Sequence, residues 1–155
     1  MAHAENLTER ALYVANRSQQ LLEDLIPGSD MPIDYLSVFS KDAGDYERLR
    51  RGAQELGEMV FRKNGEIYLL HDEDQDLPSR VVRVREPGAN PRLEGCVDFV
   101  VTDYGIVRAA LMSRPDPFEL PKEGYDIIGV SPPGYDVSAY FPSQRLTETL
   151  MGLES

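Results

Sequence analysis

The chain is short of several residue types, and each shortage closes off a class of function. A single cysteine, Cys96, excludes an internal disulfide and suits a reducing compartment. Only two histidines occur, His3 beside the N-terminus and His71, which leaves little for histidine-based metal or acid–base chemistry. Positive charge is scarce: 16 Lys and Arg stand against 27 Asp and Glu, a formal net charge of −11. That balance argues against a general nucleic-acid binder or a membrane-surface binder, since both need a positive footprint. It permits a cationic small ligand or a basic protein partner. No apolar run approaches the roughly 18 residues of a membrane span, and the first residues lack the basic and apolar regions of a secretion signal. A cytoplasmic location is the resulting expectation. Nucleotide-binding glycine loops, Gly-x-Ser-x-Gly and His-Glu-x-x-His are also absent.

What is present is an internal echo. Ile33-Asp34-Tyr35-Leu36-Ser37-Val38-Phe39, followed by Asp42, returns about 61 positions later as Gly95-Cys96-Val97-Asp98-Phe99-Val100-Val101, followed by Asp103. Each apolar run leads through an aspartate and a glycine (Gly44, Gly105) into a stretch with helical spacing, and three more strand-like runs follow each. The expected architecture is α+β. Two βαβββ modules pair into a curved mixed-sheet cup, with an extra N-terminal helix.

The expected boundaries follow from the turn signals. Residues 1–30 form a helix (6–28) and linker; Asn6 and Glu9 make a capping box, and Pro27-Gly28 ends the helix. Residues 31–142 form the paired domain, with module one at 32–86 and module two at 94–142. In module one, Tyr46, Leu49, Ala53 and Leu56 give the helix an apolar face, Gly57 is its C-cap, and Asn64-Gly65 marks a hairpin. In module two, Ile106, Val107, Ala110 and Leu111 are expected to face inward. Residues 143–155 form a tail with a short helix at 144–151 whose docking is unassigned. The N-terminal apolar stripe, Leu7, Ala11, Val14, Leu22 and Leu25, packs on the domain or on a second subunit, so a homodimer is an option. The acidic run Asp72-Glu73-Asp74-Gln75-Asp76 resembles the start of a calcium loop. Leu77 and Arg83 stand where such a loop needs glycine and glutamate, so a solvated connection is expected instead.

Two segments carry a family resemblance. Gly95-Cys96-Val97-Asp98-Phe99-Val100-Val101-Thr102-Asp103 resembles the first-strand pattern of the vicinal oxygen chelate superfamily, which includes glyoxalases, extradiol dioxygenases and bleomycin-resistance proteins. Ser131-Pro132-Pro133-Gly134-Tyr135-Asp136-Val137-Ser138-Ala139-Tyr140 resembles its closing motif. The resemblance covers residues 32–142 and implies a cup with metal ligands on strands one and four of each module. Those ligand positions fall here on Tyr35, Cys96 and Ser138, with Arg83 or a neighbouring valine as the fourth. Tyrosine, serine and arginine are poor ligands for Zn²⁺, Ni²⁺ or Mn²⁺. The expected site therefore has no metal and no cofactor.

Strand alternation supplies the rest of the expected lining. Tyr35, Ser37 and Phe39 share one face of the first strand, and Cys96 and Asp98 share one face of its echo. Asp136, Ser138 and Tyr140 follow on the last strand, with Arg83 on the fourth. Asp98 and Asp136 would serve as carboxylates for a cationic group or as a general base, or Asp98 pairs with Arg83. Cys96 lacks a neighbouring base and reads as a buried, inert thiol. Three functions remain in competition. The first is a binding protein holding a small ligand, cationic or aromatic, in a metal-free cup. The second is a divalent-metal lyase or dioxygenase with non-standard ligands, drawing on His71, Asp98 and Asp136. The third is an interaction module whose cup is filled by its own side chains, with the N-terminal helix mediating dimerisation.

Overall fold

The computed structural model describes residues 2–71, 77–88 and 90–153. The acidic run expected as a solvated connection lies at 72–76, outside them. The chain folds in the order α1 (Ala2–Leu25), β1 (Ile33–Phe39), α2 (Ala43–Leu56), β2 (Gly57–Arg62), β3 (Gly65–Leu70), β4 (Val81–Arg85) and β5 (Gly95–Phe99). It continues through α3 (Tyr104–Met112), β6 (Phe118–Lys122), β7 (Tyr125–Val130), β8 (Val137–Pro142) and α4 (Leu146–Thr149). The eight strands form one mixed, curled sheet in the order β2-β3-β4-β1-β5-β8-β7-β6. No helix among the described residues is long and apolar enough to cross a membrane.

The centre of the sheet carries the internal echo in its register. Leu36 faces Val97 across the antiparallel β1–β5 pair, with Tyr35 opposite Asp98 and Ser37 opposite Cys96. A twofold rotation about Leu36 and Val97 exchanges Tyr35 with Cys96 and Ser37 with Asp98. The parallel neighbours obey the same relation, Val82 lying beside Leu36 and Ala139 beside Val97. Alternation then sorts the side chains. Leu36, Val38, Val82, Val97, Ala139 and Phe141 join the helix-side core, and Phe99 stacks on Phe141 with ring centroids 5.3 Å apart.

Helix α1 is the main cover of that core. Leu7, Ala11, Val14, Leu21 and Leu22 are buried, and each of its leucines contributes about 1.5–3 kcal/mol by leaving water. The helix packs on α2, β1, β5 and β8, so its apolar stripe is spent on its own domain. It begins at Ala2, which places Asn6 inside the helix instead of at its cap. The caps of the other two long helices are the aspartates of the echo. Asp42 accepts a hydrogen bond from the Asp45 backbone N–H, and Asp103 accepts one from Ile106.

Gly57 is the C-cap of α2 as expected, its backbone N–H donating to the Ala53 carbonyl oxygen, in an extended conformation (φ −164°) instead of a left-handed one. A Cβ there would sit 2.2 Å from the Leu69 carbonyl oxygen, so the glycine serves the close approach of β3. In α3 the buried positions are Val107 and Leu111, whereas Ile106 is 68% exposed. Nine residues give that helix room to bury only a narrow stripe. At the hairpin tip Asn64 adopts φ 54° and Gly65 φ 125°, the left-handed geometry that this dipeptide favours.

Candidate functional site

The concave face of the sheet is occupied mainly by the chain's own C-terminus. Leu146 and Met151 pack with Tyr35, Ile67, Val81 and Ile127 in a core separate from the helix-side one, and Leu150 and Leu153 lie against it. The anchor is Asp34, a buried carboxylate on β1. It accepts hydrogen bonds from Arg145 Nε at 2.8 Å, Thr147 N at 3.1 Å and Thr147 Oγ1 at 2.5 Å. A register shift between Ile33 and Tyr35 lets Asp34 and Tyr35 both serve this face. A buried carboxylate is costly unless paired, and the α4 turn supplies the pairing. The tail whose docking the sequence left unassigned is thus the lid of the cup.

Besides a cleft of about 380 Å³ lined by Asp34, Arg145, Thr147 and Leu153, a cavity of about 170 Å³ borders that lid. Tyr35, Arg83, Cys96, Asp98 and Tyr140 line it together, five of the residues assigned to the cup from sequence. Ser37 supports it from beneath, accepting a 2.8 Å hydrogen bond from Arg83 Nε. Phe39 lies at one end, in contact with Leu93, Cys96 and Tyr140. Ser138 is buried next to Cys96 in the β5–β8 register, but its hydroxyl bonds the Ser131 hydroxyl at 2.9 Å and does not line the cavity.

Asp136 is a correction. It precedes β8, so alternation does not govern it, and it faces α1 instead of the cup. Its carboxylate accepts from the Tyr13 hydroxyl at 2.5 Å and lies 3.5 Å from Arg17 Nε.

Electrostatics at the cavity centre on Arg83 and Asp98. Arg83 donates to Ser37 Oγ, to the Lys63 carbonyl at 3.4 Å and to Cys96 Sγ at 3.9 Å. It attracts Asp98 through space without an ion pair within 4.0 Å among the described residues. Burial pushes the Asp98 carboxyl up to about 7, opposed by the Arg83 charge and by the hydrogen bond that the Tyr35 hydroxyl donates. Burial also raises the Cys96 thiol, against the pull of Arg83, and raises the Tyr35 hydroxyl well above its ordinary value. A nucleophilic thiolate needs the opposite shift.

The cavity mouth contains residues that the sequence reading did not assign: Lys63, Arg85, Lys122 and Tyr125, with Leu150 of the lid. Arg85 had a signal, since it lies two residues from Arg83 on one strand. Leu146 and Leu150, one helical turn apart, signalled an apolar face on the tail. Nothing local marked Lys122, which arrives through the β6–β7 hairpin. No group of three or more His, Cys, Asp or Glu among the described residues is placed to hold a metal ion. Of the side chains at the expected ligand positions, Tyr35 and Ser138 are poor donors for a divalent metal, and burial holds the Cys96 thiol in its protonated form.

These features define an α+β protein with a curled, open eight-stranded sheet, helices on one face and a self-capped concavity on the other. A solved structure described as "Structural Genomics, Protein EC4020" is similar to it, with a TM-score of 0.62 at 16% identity over 97% of this chain and 91% of that one. That likeness extends through the whole architecture and speaks to fold alone. No family model matches the chain, and no curated protein matches it.

Proposed function

We propose that this chain is a non-catalytic interaction protein, with a cup closed by its own C-terminal segment and an acidic exterior that meets a basic macromolecular partner. The observation that carries the reading is the lid. Leu146, Leu150 and Met151 occupy apolar volume where a substrate would lie, and Asp34 fastens them. The cavity at the expected cup residues, about 170 Å³, is below the roughly 300–1,000 Å³ of ordinary ligand pockets. Charge supplies the second support. The formal balance is −11, and α1 alone exposes Glu5, Glu9, Glu23 and Asp24, a field that steers cationic surfaces.

The resemblance to vicinal oxygen chelate proteins belongs to this reading as a fold-level proposal. The strand order and the central register support a paired-module origin, while the side chains at the ligand positions depart from the metal chemistry of that family. Capture of a partner from cell extract, followed by titration of the purified pair, tests the proposal. The expected result is saturable, salt-sensitive binding that the quadruple charge reversal of Glu5, Glu9, Glu23 and Asp24 to Lys weakens at least tenfold. Binding insensitive to both salt and charge reversal contradicts it, as does turnover of a small molecule at the cup.

A second reading, small-molecule binding in the residual cavity, is favoured by a separate observation: five cup residues assigned from sequence converge there.

A further inference from the structure

The basic side chains of this chain are distributed unevenly. Most of them are matched by carboxylates within 4.0 Å: Arg10 by Asp45, Arg50 and Arg62 by Glu66, Arg108 by Glu119, and Arg145 by Asp34. Besides Arg92 and Arg114, which lie outside the concavity, the exceptions cluster: Lys63, Arg83, Arg85 and Lys122. All four line the residual cavity, and among the described residues none has a carboxylate partner within that distance. Arg85 lies over the Phe39 ring at 5.0 Å, and Arg83 is buried. In a chain with 27 acidic residues, four unmatched cations around one concavity amount to a local reversal of charge.

The only carboxylate lining the cavity among the described residues is Asp98. Its environment favours the protonated form, with burial as the main cause, so it offsets the cations only in part. The remaining walls are aromatic and aliphatic: Tyr35, Tyr125 and Tyr140 with Leu120, Ile127 and Leu150. Arg83 supplies a planar guanidinium already oriented by Ser37, which suits a planar carboxylate better than a point charge would.

We infer that the residual cavity is a binding site for a small organic acid, one carboxylate on a single-ring body, held by Arg83, Arg85, Lys63 and Lys122. This departs from the cationic ligand that the overall charge suggested. It stands independently of the partner reading, because it concerns the concave face and not the acidic exterior. The ring lies among the tyrosines, and the carboxylate meets the cations. A volume of about 170 Å³ limits the body to about one ring beside the lid.

Titration of the full chain with benzoate, benzamide and inorganic phosphate, followed by two-dimensional NMR, tests the inference. The expected result is saturable benzoate shifts at Tyr35, Asp98 and Tyr140, with a dissociation constant in the millimolar range and at least tenfold weaker binding of neutral benzamide. The double variant R85M/K122M should lose at least tenfold in benzoate affinity while keeping its dispersed spectrum. If that variant fails to fold, K63M and the benzamide arm of the wild-type titration carry the same test. Absence of saturable shifts, equal binding of benzamide, or affinity unchanged in the folded variant overturns the site. Phosphate binding at these residues without benzoate binding overturns the carboxylate assignment.

Discussion

Replacing Asp98 by asparagine should stabilise the protein at alkaline pH and leave it nearly unchanged at acid pH. Asp98 is 5% exposed, and its proton is held up to about 7 against an ordinary value of 3.8. Between those values the native state binds more protons than the unfolded chain, so unfolding free energy falls as pH rises. The loss begins above the unfolded value and is complete once pH passes the folded one. Over that interval, one group costs on the order of 4–5 kcal/mol, at about 1.4 kcal/mol for each pH unit. Asparagine keeps the shape and can still accept the Tyr35 hydrogen bond, without the charge. Urea unfolding of wild type and D98N, followed by circular dichroism from about pH 4 to about pH 8, isolates the effect, because titrations common to both proteins cancel in the difference. D98N should lie within about 1 kcal/mol of wild type at the acid end and exceed it by about 2–4 kcal/mol at the alkaline end. A difference that does not change with pH refutes the reasoning. So does a variant whose relative stability falls as pH rises.

Asp34→Asn should loosen the lid, because Arg145 Nε and the Thr147 backbone lose a charged acceptor; a cost of about 2–3 kcal/mol and faster proteolysis within residues 145–153 are expected, and unchanged protection would count against the clamp. Gly95→Ala puts a Cβ 2.2 Å from the Ser37 carbonyl oxygen and 2.7 Å from a Val14 methyl. A loss of at least about 2 kcal/mol in denaturant unfolding follows from that overpacking, and a neutral variant would contradict the α1–β5 contact. Cys96 is 2% exposed and its thiol is raised by burial, so a thiol reagent at neutral pH should react with the native protein far more slowly than with the urea-unfolded chain. Equal rates would show that the cavity floor is open.

The architecture was legible because its signals are local and repeated. Alternation in Ile33–Phe39 and Tyr125–Val130 gave strands with the observed bounds, and Asp42 and Asp103 announced the helices they cap. The two faces of β1 and β5 followed from the same alternation, which is why Tyr35, Cys96 and Asp98 were assigned to one concavity. Alternation failed where the strand was not regular. Asp136 lies one residue outside β8 and turned toward α1, and the register shift at Ile33 brought Asp34 into the cup. Where the tail docks, and that the cations of the mouth gather, were not legible for another reason. Docking of residues 146–153 depends on the tertiary placement of Asp34, and Lys122 meets Arg85 only after the sheet has curled. Net charge sums over the whole exterior and says nothing of the sign inside one cavity.

The lid is the claim on which the other readings depend, and nuclear Overhauser contacts in the free protein test it most directly. The account expects cross-peaks from the methyl groups of Leu146 and Met151 to the Tyr35 ring and to Ile67, with slow amide exchange at Thr147, which donates to Asp34. Random-coil shifts over residues 146–153, with no contacts to Tyr35, would contradict it and leave the cup open.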